Sequence, residues 1–248
     1  MVTGGSRGIG AGIVRSLHAA GCMVFFTYVA ARGPAEELAR ELDAERVHCA
    51  RVDLADSDAL PAVVEGCTAR FGRLDVLVNN AGIFAENPFD GASYDGWRAG
   101  WAKTFAVNLF GVADLSWLAL RAMRGNAADA YGTRGRIITI TSRAGQRGEL
   151  TFADYGASKA AAGNLTKSIA RGCARDGIVA FSVAPGFILT EMAAESISRD
   201  GDTIRAEIPG GRIGGPDDVA GIVTFLASGA ADYATGTTID VNGASYVR

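Results

Sequence analysis

Histidine and cysteine are scarce in this chain of 248 residues, and each scarcity argues against a class of chemistry. With only His18 and His48 present, we expect neither a histidine-based metal site nor a Ser-His-Asp triad. The four cysteines have no CxxC spacing, which predicts reduced thiols in a cytoplasmic protein, with no zinc site, other bound metal or disulfide frame. These cysteines are Cys22, Cys49, Cys67 and Cys173.

Charge and hydrophobicity set further limits on function. The net charge of −3 gives no electrostatic case for nucleic acid or an anionic membrane as a partner. We find no apolar run of membrane-spanning length, no internal repeat and no Pro- or Ser-rich linker in the sequence. A hydrophobic content of 48% is ample for a sizeable core, so we expect one compact domain over residues 1–248.

Lysine is also rare, with three residues against twenty-one arginines, and one lysine has a suggestive position. Tyr155 and Lys159 are four residues apart, which places them on one face if this stretch is helical. An ammonium near a phenol favours the phenolate and would support proton transfer to or from an oxygen. Ser142, thirteen residues before Tyr155, would hold a substrate oxygen beside the phenol. A Tyr–Lys pair at this spacing is also common on solvated helix faces.

A glycine-rich loop precedes the first amphipathic helix. Its spacing is Gly4-x3-Gly8-x-Gly10, and a helical pattern follows from Ala11 to Ala20. Glycines let the backbone approach a pyrophosphate, while a helix N-terminus offers free N–H groups and a positive dipole end. The spacing differs from GxGxxG, and glycine loops also form ordinary turns. Its place before a helix and a second strand indicates a dinucleotide site.

The end of the second predicted strand, Cys22–Tyr28, bears on the choice of cofactor. In many dinucleotide folds an acidic residue at this point binds the ribose 2′-hydroxyl of NAD. No carboxylate occurs here, whereas Arg7 and Arg32 are available for a 2′-phosphate. The sequence therefore predicts NADP(H), with NAD(H) as the alternative if both arginines are merely solvated.

Strand and helix patterns alternate along the rest of the chain. The alternation predicts an α/β fold with a doubly wound, parallel, seven-stranded sheet, helices on both faces and a shortened first strand. Flagged polar residues follow the strand ends, where open α/β sheets bind ligands. Asp53 is one of them, and it either accepts from an adenine amino group or is a turn carboxylate. The other predicted strands are Arg46–Val52, Leu74–Val78, Arg136–Thr141, Val179–Val183 and Thr237–Val241.

Segments between these strands carry further expectations. Residues 86–100 are expected to form a loop, and 101–123 a long helix. Asn108 in that helix should find a hydrogen-bond partner, unless it satisfies its own backbone at a kink. Asp154 is expected to cap the helix that carries Tyr155. Residues 187–209 are expected to form a mobile lid over the substrate.

Taken in order, the motifs resemble those of the short-chain dehydrogenase/reductase family, nearly from end to end. Segments 139–142, 185–190 and 212–219 are similar to 3-oxoacyl-(acyl-carrier-protein) reductases, although many alcohol, sugar and steroid dehydrogenases share them. The resemblance implies a Rossmann-type fold and a homotetramer or homodimer built on the long helices after the fourth and fifth strands. The motifs are Thr3-Gly4-x3-Gly8-x-Gly10, Asn79-Asn80-Ala81-Gly82, Asn108, Ser142, Tyr155-x3-Lys159 and Pro185-Gly186.

The resemblance also implies roles for matching residues. Tyr155 would be the acid/base, Ser142 would position the substrate carbonyl, and Lys159 would lower the pKa of Tyr155 and hold the nicotinamide ribose. Asn108 would hold a water that links Lys159 to solvent. The substrate would be a small carbonyl or alcohol, free or carrier-linked, that exchanges a hydride with the cofactor. Cofactor contacts are expected from Gly4, Ser6, Arg7, Gly8, Ile9, Gly10, Tyr28, Asp53, Leu54, Asn80, Ala81, Gly82, Tyr155, Lys159, Pro185, Gly186 and Thr190.

Two departures from the family pattern matter for function. Only three residues precede the glycine loop, where a strand typically has about five or six. We therefore expect lower stability or weaker cofactor affinity than in a version extended upstream. In addition, Arg143 and Arg147 crowd the loop after Ser142. They either recognise an anionic substrate or, as the favoured interpretation, are solvated or paired with Glu149 and Asp154.

Three functions are compatible with these patterns. The first is an NADP(H)-dependent carbonyl reductase or alcohol dehydrogenase. The second is an NAD(H)-dependent polyol or sugar-alcohol dehydrogenase, because Arg147-Gly148-Glu149 resembles some polyol dehydrogenases. The third is a non-catalytic cofactor-sensing protein on the same fold, which is disfavoured because Tyr155 and Lys159 are both intact.

Overall fold

The computed structural model describes residues 1–91 and 93–247, so Ala92 of the predicted loop and Arg248 of the predicted domain lie outside the described residues. Strands and helices alternate along these ranges. The strands are β1 (Val24–Tyr28), β2 (Val47–Arg51), β3 (Val76–Asn79), β4 (Gly135–Ile140), β5 (Ile178–Pro185) and β6 (Thr238–Val241). The α-helices are α1 (Gly8–Ala19), α2 (Arg32–Leu42), α3 (Leu60–Phe71), α4 (Tyr94–Phe105), α5 (Gly111–Arg124), α6 (Ala144–Arg147), α7 (Ala153–Cys173), α8 (Ala194–Ala206) and α9 (Pro216–Ala227).

All the strand pairs are parallel. β1 pairs with β2, and β3, β4, β5 and β6 lie side by side in that order. Val2 forms one bridge to Phe26 in β1 and another to Val78 in β3, and it thereby joins the two groups into one sheet. The predicted α/β class with a parallel sheet is confirmed.

The predicted first strand is reduced to this single bridging residue. Val2 N donates to Phe25 O at 2.8 Å, Thr27 N donates to Val2 O at 2.9 Å, and Thr3 N donates to Val78 O at 3.0 Å. The sheet has six strands among the described residues rather than the predicted seven, because three residues before the turn complete only one bridge on each side. The expected effect of this shortening on stability stays a prediction.

Helices cover both faces of the sheet. One buried cluster joins the sheet to α1, α2 and α9, and a second joins it to α3, α5 and α7. Ile138 belongs to the first cluster and its neighbour Ile137 to the second, and both are fully buried. Adjacent side chains of β4 therefore point to opposite faces, as expected for a parallel strand that is covered on both sides.

The long helix begins earlier than expected. The Ser93 hydroxyl accepts a hydrogen bond from Gly96 N at 3.1 Å and caps the first turn of α4, so helix replaces the second part of the predicted loop. A π-helical turn, Ala106–Phe110, connects α4 to α5. The result is one continuous helix of 31 residues, Tyr94–Arg124.

By length and composition alone, this helix could cross a membrane, although no run of membrane-spanning length was expected from the sequence. Its most apolar window has a mean hydropathy of 1.3, and 39% of that window is buried inside the domain. A single helix of this kind is weak support for a membrane location, since core helices of folded proteins pass the same test.

Asp154 does not cap α7, which is a correction to the sequence prediction. Phe152 occupies the N-cap position, and Asp154 lies in the first turn of the helix, almost fully buried. Its carboxylate accepts hydrogen bonds from Tyr155 N at 2.8 Å, Thr104 Oγ1 at 2.8 Å and Asn87 Nδ2 at 3.2 Å. The side chain therefore ties α7 to α4 and to the loop before it.

Candidate active site

A cavity of about 1330 Å³ lies at the carboxyl edge of the sheet. Its walls come from the glycine loop, from the segments that follow β1 to β5, and from α8. Every residue predicted to contact the cofactor lines it, and so do Ser142, Tyr155 and Lys159. Asn108 lies behind this wall and is hydrogen-bonded to Ile83, which lines the cavity. One cavity thus collects side chains that are far apart in sequence, while their individual roles stay predictions.

The side chains of Ser142 and Tyr155 lie close enough to interact. Ser142 follows β4, and its Oγ also accepts a hydrogen bond from Ala144 N at 3.1 Å. Burial raises the pKa of the Tyr155 phenol, the hydrogen bond with Ser142 lowers it, and the Glu149 carboxylate raises it, with a net rise. Loss of hydration is the largest cause of this rise, and the lowering that the resemblance implies for Lys159 stays a prediction.

Lys159 lies one helical turn after Tyr155. Its Nζ is 5.8 Å from the centroid of the Tyr155 ring and donates a hydrogen bond to Ile140 O at 2.8 Å. Burial lowers the pKa of Lys159 to about 8, because the ammonium loses its hydration. The amine is therefore near its titration point at mildly alkaline pH.

Asn108 has the hydrogen-bond partners that its apolar surroundings demanded. Its Oδ1 accepts from Ile83 N at 2.8 Å, and its Nδ2 donates to Ile83 O at 3.0 Å and to Ser158 Oγ at 3.2 Å. Ser158 Oγ in turn donates to Tyr155 O at 2.7 Å. Asn108 thus bonds to another segment rather than to its own backbone, and the π-helical turn presents it there. The predicted water at Asn108 stays a prediction.

The glycine loop is locked to the end of β3. Thr3 Oγ1 accepts from Asn80 N and Ala81 N, both at 2.9 Å, and Asn80 Nδ2 donates to Thr3 O at 2.8 Å. Gly4 has a φ of 64°, and a Cβ atom at Gly10 would lie 2.1 Å from Gly4 O. These positions require glycine. The sequence placed Thr3 in the glycine motif, but it did not reveal that the Thr3 hydroxyl joins the loop to the end of β3.

The N-terminus of α1 suits an anionic group. Arg7 is at the N-cap position and makes no side-chain cap, so the first N–H groups of the helix are left for another partner. Gly8, Ile9 and Gly10 line the cavity at this point. A pyrophosphate fits the N–H groups and the helix dipole here.

Residues predicted to select the cofactor have partners within the chain. Arg7 Nη1 is 2.7 Å from Glu191 Oε2, and both side chains are mostly exposed. Arg32 is similarly paired with Glu36 at 2.7 Å. Exposed pairs of this kind contribute little to stability, so a phosphate can compete for either guanidinium. Asp53 Oδ1 accepts from Ala55 N at 2.9 Å, which is the turn geometry left open above.

The two arginines after Ser142 lie in different surroundings. Arg143 is buried, with its Cζ 4.6 Å from the centroid of the Phe187 ring, so the expectation that it is solvated is wrong. Arg147 approaches Glu149 at 3.9 Å and Glu207 at 3.7 Å. Of the two expected partners, Glu149 is therefore close to Arg147, whereas Asp154 is engaged elsewhere.

Two further features of the cavity were not found from the sequence. The rings of Phe84 and Phe152 stack with centroids 4.0 Å apart, and Phe84 meets the Tyr155 ring edge-on at 4.9 Å. The predicted lid, residues 187–209, contains the helix α8, which is interrupted at Asp200. Phe84 and Phe152 are far apart in the sequence, so only the fold reveals that their rings meet beside Tyr155.

A parallel sheet with a glycine loop at α1, and a serine–tyrosine–lysine group at the same edge, define an oxidoreductase of the Rossmann type.

Known proteins are similar to this chain over its whole length. A family model described as enoyl-(acyl carrier protein) reductase matches residues 4–244. The chain is 38% identical to the 3-oxoacyl-(acyl-carrier-protein) reductase FabG of Salmonella typhimurium over 247 residues, which cover 100% of this chain and 96% of that protein. It is 36% identical to the acetoacetyl-CoA reductase of Shinella zoogloeoides over 248 residues, which cover 99% and 97% of the two chains.

A solved structure extends the similarity to three dimensions. It is described as a short-chain dehydrogenase/reductase, glucose/ribitol dehydrogenase, from Brucella melitensis. Its TM-score is 0.90 at 33% identity, and the match covers 100% of this chain and 96% of that one. The chain belongs to the short-chain dehydrogenase/reductase family, a family of oxidoreductases, and the predicted membership is confirmed.

Proposed function

We propose that the protein interconverts a carbonyl group and a secondary alcohol by NADP(H)-dependent hydride transfer, in the manner of a 3-oxoacyl reductase. One observation carries this proposal: the side chains of Ser142 and Tyr155 interact, and the Lys159 ammonium lies 5.8 Å from the Tyr155 ring, in the same cavity as the glycine loop. The names of the FabG and acetoacetyl-CoA reductase relatives support a 3-oxoacyl type of substrate, free or carrier-linked.

The residues of the cavity suit a nicotinamide dinucleotide. When bound, its reduced form supplies a hydride to a carbonyl carbon. The first amides of α1 would hold the pyrophosphate, Arg7 would meet a 2′-phosphate, and Asp53 would accept from the adenine amino group. The nicotinamide end would lie near Pro185, Gly186 and Thr190, and its ribose near Tyr155 and Lys159.

The chain's own side chains would manage the proton. Tyr155 donates the proton of its hydroxyl to the carbonyl oxygen, and Ser142 donates a hydrogen bond that orients this oxygen. A raised phenol pKa keeps Tyr155 protonated before the reaction, as a proton donor requires. The Lys159 ammonium then stabilises the phenolate, and a water held by Asn108 would return a proton from solvent.

A panel of carbonyl compounds and alcohols, assayed with NADPH, NADH and their oxidised forms, tests this function. We expect turnover of 3-oxoacyl compounds with NADPH. Tyr155→Phe should lower kcat by at least about 100-fold while cofactor affinity is retained, since positioned acids typically contribute 10²–10⁴-fold. Unchanged turnover in the variant would exclude this mechanism and favour the non-catalytic, cofactor-sensing alternative.

An NAD(H)-dependent polyol dehydrogenase is the second candidate. The similar structure described as a glucose/ribitol dehydrogenase favours it, as does the Arg147-Gly148-Glu149 segment. The same panel separates the two functions, because oxidation of ribitol or glucose with NAD⁺ at rates above those of 3-oxoacyl reduction would establish the second.

Assembly and location are part of the proposal. Phe110 is 59% exposed and Trp117 is 57% exposed on the long helix, which suits self-association through this helix into a dimer or tetramer. We place the protein in the cytoplasm as a single domain whose segment 187–209 opens and closes over the substrate. Its cysteines are free, and burial raises the pKa of the Cys22 and Cys67 thiols, which keeps them protonated and unreactive.

A further inference from the structure

We propose that Arg143 binds a carboxylate of the substrate itself, so that the preferred substrate is a small oxo- or hydroxycarboxylate rather than a carrier-bound thioester. This inference rests on the proposed reaction at Tyr155 and narrows its substrate class.

Arg143 is a buried charge without an adequate partner. Its side chain is 5% exposed, and Nη1 is buried with no hydrogen-bond acceptor among residues 1–91 and 93–247. The carboxylate that approaches it, Glu207, is 3.9 Å from Nη2, beyond hydrogen-bond distance. A buried guanidinium with unsatisfied donors is unfavourable unless an anion pairs with it. Burial and the charge of Arg147 lower the pKa of Arg143 below its usual range, which agrees with this view.

The guanidinium is also held in position. It stacks on the Phe187 ring, with Cζ 4.6 Å from the centroid, and the Arg143 backbone N–H donates to Pro185 O at 3.0 Å. A planar guanidinium fixed in this way can form two parallel hydrogen bonds to a carboxylate. The residue thus has the chemistry and the rigidity of an anion-binding group.

Its place in the chain limits the size of the ligand. Arg143 directly follows Ser142, so the two Cα atoms are about 3.8 Å apart, and both residues line the cavity. An anion at Arg143 would therefore share this part of the cavity with the carbonyl held at Ser142. A carboxylate of the reacting molecule meets this condition. The phosphates of a pantetheine carrier do not, because the long pantetheine arm separates them from the thioester.

The neighbours of Arg143 lie apart from the groups that are expected to bind the cofactor phosphates. Phe187 follows β5, Arg147 and Glu149 follow β4, and Glu207 follows α8. The groups expected to bind cofactor phosphates instead open α1 and follow β1.

Glu207 completes the site as a displaceable counter-ion. Its Oε2 is 3.7 Å from Arg147 Nη1 and 3.9 Å from Arg143 Nη2, and its side chain is 48% exposed. Neither distance is a hydrogen bond, so a substrate carboxylate can replace Glu207 while Glu207 turns to solvent. Because Glu207 belongs to the proposed lid, a substrate carboxylate would displace it at the point where the lid meets the cavity.

The test compares 3-oxobutanoate, its methyl ester and acetoacetyl-CoA as substrates with NADPH and NADH. We expect wild type to prefer the free acid over the ester by at least tenfold in kcat/KM. Arg143→Met should lower this acid-to-ester ratio by about 10- to 100-fold, mainly through KM, as expected for loss of a charged hydrogen bond. Arg199→Met is the matched control, since Arg199 lines the same cavity but is paired with Asp200 at 2.9 Å, and it should keep the wild-type ratio.

Several results would overturn the proposal. A wild-type preference for the ester or the thioester over the acid would contradict it. If Arg143→Met lowers kcat/KM equally for the acid and the ester, Arg143 holds the lid in place and does not bind the substrate carboxylate. A fall in NADPH affinity with an unchanged ratio would make it a cofactor ligand.

Two further measurements keep the outcome decisive. If Arg143→Met does not fold, Glu207→Gln replaces it: removal of the competing carboxylate should lower KM for the acid relative to the ester, and an unchanged ratio would overturn the proposal. If no carbonyl compound is reduced at all, the proposed function fails by itself. Calorimetric binding of 3-oxobutanoate then decides: binding by wild type that Arg143→Met loses supports the carboxylate site, and absence of binding refutes it.

Discussion

The ammonium of Lys159 donates a hydrogen bond to the carbonyl oxygen of Ile140 at 2.8 Å. Ile140 is the last residue of β4, two positions before Ser142, so the strand that presents the serine also holds the lysine of the facing helix. This bond keeps Nζ 5.8 Å from the centre of the Tyr155 ring. The free site is therefore organised around a neutral phenol with a cation held nearby.

Lys159 should give the protein a stability that depends on pH. Its pKa is about 8 in the folded chain against an ordinary value of 10.5, so the unfolded chain binds more protons between these limits. The contribution of Lys159 is least favourable below pH 8 and improves as pH rises toward 10.5. Between pH 7 and 9.5, the free energy of unfolding of wild type should gain about 2 kcal/mol relative to Lys159→Met. Urea denaturation at both pH values measures this gain, and a pH-independent difference would refute it.

Replacement of Gly10 should damage the cofactor site. In Gly10→Ala the new Cβ would lie 2.1 Å from Gly4 O and 2.7 Å from Asn80 Nδ2, so the loop must shift. We expect at least tenfold weaker NADPH binding by fluorescence titration. Gly172→Ala is the control, because its new Cβ would meet nothing within 4 Å beyond its chain neighbours and the backbone of its own helix. In α7 that change should stabilise the helix by about 0.5–1 kcal/mol, and equal NADPH affinities for the two variants would contradict the assignment.

Cofactor choice can be tested through the pair of Arg7 and Glu191. Arg7→Met should weaken NADPH binding while NADH binding changes little, because only NADPH carries the 2′-phosphate. Glu191→Gln should strengthen NADPH binding, since it removes the carboxylate 2.7 Å from Arg7. Arg15→Met provides the control, as Arg15 lies on the same helix and is paired with Glu41. Wild-type preference for NADH would contradict the NADP(H) proposal.

Self-association can be tested at the long helix. Trp117→Asp places a charge on its exposed apolar face and should shift the protein toward monomers in sedimentation velocity. Tyr233→Asp changes an aromatic residue that is fully exposed outside this helix, and it should keep the wild-type assembly. A monomeric wild type would exclude the proposed oligomer.

Local periodicity and sheet geometry account for what the sequence could predict. Tyr155 and Lys159 share a face because of the helical repeat, and the polar residues converge because parallel strands end at one edge of a sheet. The sequence could not predict which distant segments of the chain come into contact. Asp154 was expected to cap α7 because of its place just before Tyr155. Its partner Thr104 becomes apparent only when the two helices pack together. The burial of Arg143 likewise depends on Phe187 and the lid.

The π-helical turn Ala106–Phe110 has a consequence for the spacing of the chain. Such a turn holds one more residue than an α-helical turn, and one residue corresponds to about 100° of rotation. Deletion of a single residue here would make the helix more regular and yet rotate Trp117, and everything up to Arg124, away from its present neighbours. The number of residues in this segment therefore determines which side chains of α5 face the core. A single extra residue thus lets one helix carry both the buried Asn108 and the exposed Trp117.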